Sequence, residues 1–141
     1  MKKKLDCVLL VEDNESYNFI HRRYVEKAGI TDHIEIAENG KEALDFLKTK
    51  WTAQQKEKDF CRTMLIFLDI NMPIMNGWEF LEEYMKLENI KKENITIIML
   101  TTSTSSADMA KTLKILGSGC FLTKPLSLEM LDQVMQEHFP G

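Results

Sequence analysis

Short apolar runs alternate along this chain with stretches whose apolar residues recur at helical spacing. The first run, residues 5–11, is nearly continuous, as in strands that a parallel sheet buries on both faces. The second run alternates in the manner of a shorter strand. Together the runs predict five strands, at residues 5–11, 33–37, 63–68, 94–100 and 120–123.

Five helices are predicted after these strands, and polar residues or glycines mark their ends. Asn14 and Ser127 are expected to cap the first and last helices, because their side chains can accept hydrogen bonds from free backbone N–H groups. Gly29 and Gly117 end the first and fourth helices. The faces predicted to be buried are Tyr17, Ile20, Tyr24 and Ala28 in the first helix, and Ala110, Leu113 and Leu116 in the fourth.

Strands that alternate with helices predict right-handed crossovers and a parallel sheet with helices on both faces. The expected fold is α/β, a flavodoxin-like (βα)5 three-layer sandwich with strand order 2-1-3-4-5. With 141 residues, 44% of them hydrophobic, residues 1–141 are expected to form a single domain without an output domain. Residues 51–61 are polar and predict a helix extension or a loop.

Composition excludes several classes of function. A formal net charge of -4 argues against a nucleic-acid surface, which needs a basic face. No apolar run approaches the ~18 residues of a membrane-spanning helix, so no membrane association is expected. Cys7, Cys61 and Cys120 lack metal-ligand spacing and are interpreted as reduced thiols, which fits a cytoplasmic protein.

Acidic residues follow two of the predicted strands. Glu12 and Asp13 come after the first strand, and Asp69 comes after the third. These strands are neighbours in the order 2-1-3-4-5, in which ligands bind beyond the carboxyl ends of the strands. Three carboxylates in one crevice repel one another unless a cation lies between them. Oxygen ligands suit Mg²⁺, to which the backbone carbonyl of Asn71 could be a further ligand.

The other strand ends decide how Asp69 is interpreted, since an isolated aspartate after a strand more often caps a loop. Thr101 and Thr102 supply hydroxyls after the fourth strand, and Lys124 supplies an ammonium after the fifth. A carboxylate nucleophile, a metal and donors for developing negative charge together suit phosphoryl transfer onto Asp69, which would give an acyl phosphate.

Short motifs containing these residues stand in order at the predicted strand ends: Glu12-Asp13, Asp69-Ile70-Asn71-Met72-Pro73 with Asn76-Gly77, Leu100-Thr101-Thr102-Ser103, and Lys124-Pro125. In this order they resemble the receiver domain of two-component response regulators, and the resemblance covers essentially the whole chain. The chain resembles stand-alone, chemotaxis-regulator-like members, and it is similar to those that serve phytochrome-type and other multi-sensor kinases. The resemblance implies a signalling protein that catalyses only its own phosphorylation and dephosphorylation. Its implied phosphodonor is a sensor histidine kinase or a histidine phosphotransfer protein.

The resemblance assigns a role to each residue of the site. Asp69 corresponds to the phosphoacceptor, and Lys124 to the residue that binds a phosphoryl oxygen. Glu12 and Asp13 correspond to the residues that hold Mg²⁺ together with Asp69, and Asn71 to the one that adds its backbone carbonyl. Glu12 stands where many members have an aspartate.

The resemblance also implies a switch. Thr102 corresponds to the switch hydroxyl, preferred over Thr101 because of its spacing to Gly117, and Phe121 to the switch aromatic. A phosphoryl group would attract the hydroxyl and let Phe121 turn inward, which favours one of two existing states. The surface of the fourth helix, fifth strand and fifth helix would then change for a downstream protein or, in a homodimer, a second copy.

Two other classes of protein are alternatives. A degenerate receiver would serve only as a protein-docking module. A metal-dependent aspartyl-phosphate phosphatase would use a similar nucleophile, but that class typically has a second acid two residues later, where this chain has Asn71. His21, His33 and His138 share no spacing that indicates a phosphodonor and are interpreted as surface or partly buried structural residues.

Overall fold

The computed structural model describes residues 5–51, 63–88 and 90–140. Within them a parallel sheet of five strands has the order β2-β1-β3-β4-β5, which confirms the predicted flavodoxin-like topology. The predicted helix extension or loop at residues 51–61 lies outside the described residues, apart from residue 51. The strands are β1 (Cys7–Val11), β2 (Ile34–Ala37), β3 (Met64–Leu68), β4 (Ile95–Thr101) and β5 (Phe121–Thr123).

Helices connect these strands and begin at capped positions. Asn14 and Ser127 accept hydrogen bonds from the backbone N–H groups of Tyr17 (3.0 Å) and Met130 (3.1 Å), as predicted. Gly29 ends the first helix in the left-handed conformation, with φ 67°. The helices are α1 (Glu15–Ala28), α2 (Gly40–Phe46) continued by a π-helical turn (Leu47–Trp51), α3 (Gly77–Met85), α4 (Ser106–Leu116) and α5 (Leu128–His138).

The three central strands, β1, β3 and β4, bury most of their side chains against helices on both faces of the sheet. Leu9 of β1 packs in a core with α2 and α3, whereas the adjacent Leu10 packs in a second core with α1 and α5. Successive side chains of a strand point to opposite faces, so continuously apolar strands fill both cores. Full burial of one such side chain stabilises the fold by about 1.5–3 kcal/mol.

The buried face of α1 differs from the predicted one by a small rotation. Ile20 was expected in the core but is exposed. Asn18 and His21 are buried there instead, together with Val25 and Ala28. The Asn18 Nδ2 group donates a hydrogen bond to the backbone carbonyl of Glu12 (2.9 Å), which compensates for burial of that end of the amide, whereas its Oδ1 is buried without a hydrogen-bond partner in the described residues.

The predicted inward face of α4 is also wrong in part. Leu113 is 58% exposed and Ala110 is exposed, whereas Leu116 is half-buried against the core. Within the described part of the chain, Thr112 is the one buried residue of this helix. The helix therefore packs on the sheet less tightly than the apolar spacing indicates.

None of the helices in the described ranges is both long enough and apolar enough to cross a membrane. Cys7 and Cys120 are buried, and Cys61 lies outside the described residues.

Candidate functional site

The register of the central strands brings three carboxylates together at one edge of the sheet. Val11 pairs with Leu68, and the backbone N–H of Asp69 donates to the carbonyl of Val11 (3.1 Å). Glu12, Asp13 and Asp69 consequently have carboxylate oxygens within 4.8 Å of one another. Glu12 and Asp69 are buried, and Asp13 is exposed.

The Glu12 carboxylate is held by local hydrogen bonds although it is buried. Its Oε2 accepts from the backbone N–H of Asn14 at 3.0 Å. Burial raises the pKa of this carboxyl above 4.5, and the nearby negative charge of Asp69 raises it further. A hydrogen bond from the Lys124 ammonium, its positive charge and the hydrogen bond from Asn14 lower this pKa and offset part of the shift.

Lys124 brings a cation to the same edge. Its backbone N–H donates to the Thr101 carbonyl at 2.9 Å, which ties the start of the loop after β5 to the end of β4. Its Nζ contacts Oε1 of Glu12 and lies 3.2 Å from Oδ2 of Asp69. The Lys124 side chain is only 4% exposed, so these contacts compensate for a buried charge.

The donors at this edge fit a divalent cation. Three carboxylates carry three negative charges, and the single ammonium of Lys124 neutralises one of them. A set made of oxygens, with one exposed member that leaves room for water, matches the preference of Mg²⁺. The predicted further ligand, Asn71, lies two residues after Asp69 in the loop that follows β3, and its side chain is exposed.

The two threonines at the end of β4 have different environments. Thr101 is fully buried, and its hydroxyl accepts a hydrogen bond from the backbone N–H of Ser103 (3.2 Å). Thr102 is the first residue after the strand, and it is exposed. Phe121 is half-buried on the edge strand β5, paired with Met99 of β4 and packed against the core shared with α2 and α3.

Gly77 is required where α3 approaches the site. Its backbone N–H donates to the carbonyl of Ile70 at 2.8 Å. A Cβ at this position would lie 2.4 Å from the backbone oxygen of Asp69, so the absence of a side chain permits the contact.

Ile74, three residues before Gly77, has a φ of 68°, an unfavourable left-handed conformation for a β-branched residue.

Two aromatic residues near the site were not predicted as part of it. The Lys124 Nζ lies 4.5 Å from the centre of the Tyr17 ring, and Tyr17 stacks on His21 with centroids 5.5 Å apart. Tyr17 was interpreted only as a core residue, because helical spacing does not reveal a contact with a loop far along the chain. The sequence did offer one signal for this contact, since Tyr17 stands about one helical turn after the acidic pair Glu12-Asp13.

The histidines match the prediction except for His21. His33 is exposed beside Glu35 (3.0 Å), and the half-buried His138 has its Nε2 3.1 Å from the carbonyl of Gly119. His21 is only 1% exposed, although a surface or partly buried position was expected. Burial lowers its pKa to about 4, and the positive charge of Lys124 contributes.

Comparison with known proteins agrees with this geometry. Residues 8–136 match the family model of the response regulator receiver domain. The probable methanogenesis regulatory protein FilR2 of Methanothrix harundinacea is 32% identical over 130 residues, which are 92% of this chain and 79% of that protein. Response regulator Rcp1 of Synechocystis is 30% identical over 129 residues, 92% of this chain and 83% of Rcp1.

Solved structures show the same fold. A two-component response regulator from Cytophaga hutchinsonii superposes with a TM-score of 0.80 at 24% identity, over 96% of this chain and 97% of that one. The Mn²⁺-bound form of Rcp1 superposes with a TM-score of 0.66 at 28% identity, over 95% and 94%. The chain belongs to the response regulator receiver family. Members of this family are signalling modules of two-component systems and work with histidine kinases or phosphotransfer proteins.

Proposed function

We propose that this chain is a single-domain response regulator that accepts a phosphoryl group on Asp69 in a Mg²⁺-dependent reaction. The donor is a phosphohistidine on a sensor kinase or phosphotransfer protein. The observation that carries the proposal is the cluster of carboxylates of Glu12, Asp13 and Asp69, within 4.8 Å of one another and beside the Lys124 ammonium. This combination holds both a nucleophile and the positive charge that a phosphoryl group requires.

In the proposed reaction an Asp69 carboxylate oxygen attacks phosphorus while the N–P bond of the donor breaks, and the bonding electrons leave with the donor imidazole. The Asp69 Oδ1 accepts a hydrogen bond from the backbone N–H of Ile70 (2.8 Å), which orients the carboxylate. Lys124 is close enough to Asp69 to move its ammonium onto a phosphoryl oxygen. Bound Mg²⁺ on Glu12, Asp13, Asp69 and the Asn71 carbonyl would supply charge neutralisation.

The same proposal includes a switch at the end of β4. The Thr102 hydroxyl is exposed and follows the strand next to β3, so it can turn to donate a hydrogen bond to a phosphoryl oxygen. Thr101 is the alternative, because a hydroxyl that accepts from the Ser103 N–H can still donate its own proton. Movement of Thr102 would favour a state in which Phe121 turns inward and the surface of α4, β5 and α5 changes.

Exposed apolar side chains support an output through that surface. Met109 and Leu113 of α4 and Leu128 of α5 are exposed. We propose that this surface binds a downstream protein or a second copy of the chain, and that the protein acts in the cytoplasm without turning over a separate substrate.

The replacement Asp69→Asn tests the phosphoacceptor. We expect it to abolish labelling by radioactive acetyl phosphate, because an amide cannot form the acyl phosphate, while its Oδ1 can still accept the hydrogen bond from Ile70. The matched control is Asp45→Asn, an exposed aspartate on α2, which should be labelled like the natural protein. Persistent labelling of the Asp69→Asn variant would contradict the assignment.

Beryllofluoride separates this proposal from a receiver that serves only for docking. We expect the fluorescence of Trp78, which lies at the start of α3, to change when Mg²⁺ and beryllofluoride are added together. Asp69→Asn should remove this response. A natural protein that responds to neither reagent would favour the docking module.

A further inference from the structure

The Lys124 ammonium has three contacts within the described residues. Two are the carboxylates of Glu12 and Asp69. The third is the face of the Tyr17 ring, whose centre lies 4.5 Å from Nζ. A cation over an aromatic face is attracted by the negative charge of the π system, most strongly where water is excluded.

A divalent cation would change two of these contacts and leave the third. Glu12 and Asp69 belong to the carboxylate cluster that fits Mg²⁺, so their oxygens would turn toward the metal. Lys124 would then lose negative partners while a second cation lies nearby. A buried ammonium without compensation is costly, and the side chain of Lys124 is almost fully enclosed. The Tyr17 ring cannot ligate the metal, so it remains available to the ammonium.

We propose that Tyr17 is a positioning residue for the metal site, because its ring retains the Lys124 ammonium when a divalent cation takes the carboxylates of Glu12 and Asp69. This inference rests on the metal site of the proposed function. It predicts that the ring contributes more to the metal-bound state than to the metal-free state, and therefore that it strengthens metal binding.

Local structure holds the Tyr17 ring in place. The Tyr17 backbone N–H donates to the capping side chain of Asn14 at 3.0 Å, in the first turn of α1. The ring stacks on His21 at an interplanar angle of 21°. Because the pKa of His21 is lowered to about 4, the imidazole is neutral at pH 7 and adds no positive charge beside Lys124.

The experiment compares replacements that keep or remove the aromatic face. Tyr17→Phe keeps the ring and loses the hydroxyl, and Tyr17→Leu removes the ring. Tyr24→Leu is the matched control, because it makes the same change further along α1 at a tyrosine that packs against the core shared with α5. For the natural protein and each variant we would measure the Kd for Mg²⁺ by calorimetry and the proton chemical shifts of the Lys124 side chain by NMR without metal.

We expect Tyr17→Leu to raise the Kd for Mg²⁺ about three- to tenfold, because the ring also contacts the ammonium without metal and only the strengthening of the cation–π contact on metal binding enters the Kd. It should also remove an upfield ring-current shift of the Lys124 Hε resonances. Tyr17→Phe and Tyr24→Leu should stay within about twofold of the natural Kd, with the ring-current shift retained. If Tyr17→Leu does not fold, Tyr17→Met supplies the same comparison with an unbranched side chain that favours helices.

Three results would overturn the inference: an unchanged Kd in Tyr17→Leu, an equal loss of affinity in Tyr17→Phe and Tyr17→Leu, or the absence of a ring-current shift in the natural protein. The proposed function fails by a different result, the absence of labelling at Asp69. A protein that is labelled there but binds Mg²⁺ equally well without the Tyr17 ring would keep its function and reject only the role of Tyr17.

Discussion

At the scale of single residues, the contrast between Thr101 and Thr102 separates a structural hydroxyl from a candidate switch. The two side chains are adjacent in sequence and chemically identical. Thr101 is buried, and its hydroxyl accepts a hydrogen bond from the backbone N–H of Ser103. Thr102 is exposed, and it lies at the same edge of the sheet as the carboxylate cluster. The sequence motif allowed either threonine to be the switch, and the hydrogen bond from Ser103 gives Thr101 a structural role as well.

Paired alanine replacements test this difference. Thr101→Ala should lower the free energy of unfolding by about 1–3 kcal/mol, because it removes the acceptor of the Ser103 N–H. Thr102→Ala should change it by less than about 0.5 kcal/mol, as is usual for exposed positions. Urea denaturation at fixed pH measures both. An equal destabilisation by the two replacements would show that the Thr102 hydroxyl is also structural.

At the scale of secondary-structure elements, α4 and α5 are both amphipathic in sequence but differ in how much they contribute to the core. Leu131 and Val134 of α5 are buried with residues of α1 and the sheet. In α4, Leu113 and Met109 are exposed instead. A helix with few buried apolar contacts is held less firmly and can shift at lower cost. This agrees with the proposed role of α4 in the output surface.

Matched leucine replacements test the difference between the two helices. Leu131→Ala should cost about 2–5 kcal/mol in the free energy of unfolding, because Leu131 is 0% exposed and its loss leaves a cavity. Leu113→Ala should cost less than about 0.5 kcal/mol, because much of that side chain is already in water. Chemical denaturation of both variants measures these values. A large loss in Leu113→Ala would mean that α4 packs against the core more closely than described.

At the scale of the whole molecule, the buried His21 links folding to pH. Its pKa is lowered from 6.5 to about 4 by burial and by the positive charge of Lys124. The unfolded chain therefore binds a proton more readily than the native protein between these pH values. The stability from keeping His21 neutral is present above pH 6.5 and is lost as the pH falls toward 4. Glu12 has the opposite effect: because its pKa is raised in the native protein, its contribution to stability increases as the pH falls.

Replacement of His21 should therefore flatten the acid dependence of stability. We expect the loss of unfolding free energy between pH 7 and pH 4 to be smaller by about 3 kcal/mol in His21→Leu than in the natural protein. Urea titrations at a series of pH values provide the comparison, and the exposed His33→Leu is the control. Parallel pH profiles for the natural protein and His21→Leu would contradict the burial of an uncharged His21.

The amino-acid sequence by itself determined the topology and the composition of the site. Continuous apolar strands separated by helices permit few arrangements other than a parallel sheet covered on both faces. Chemistry at strand ends is readable from sequence, because parallel strands deliver their carboxyl ends to one edge. Glu12, Asp13, Asp69 and Lys124 could therefore be grouped before their distances were known.

Only the tertiary structure decided which helix faces are covered and what the site residues contact. Helical spacing shows which residues share a face, but packing against neighbouring elements selects the face that is buried. For this reason Ile20 and Leu113 are exposed, while the polar His21 is buried. The contact between Tyr17 and Lys124 joins α1 to the loop after β5, and such a pairing of distant segments exists only once the sheet has assembled.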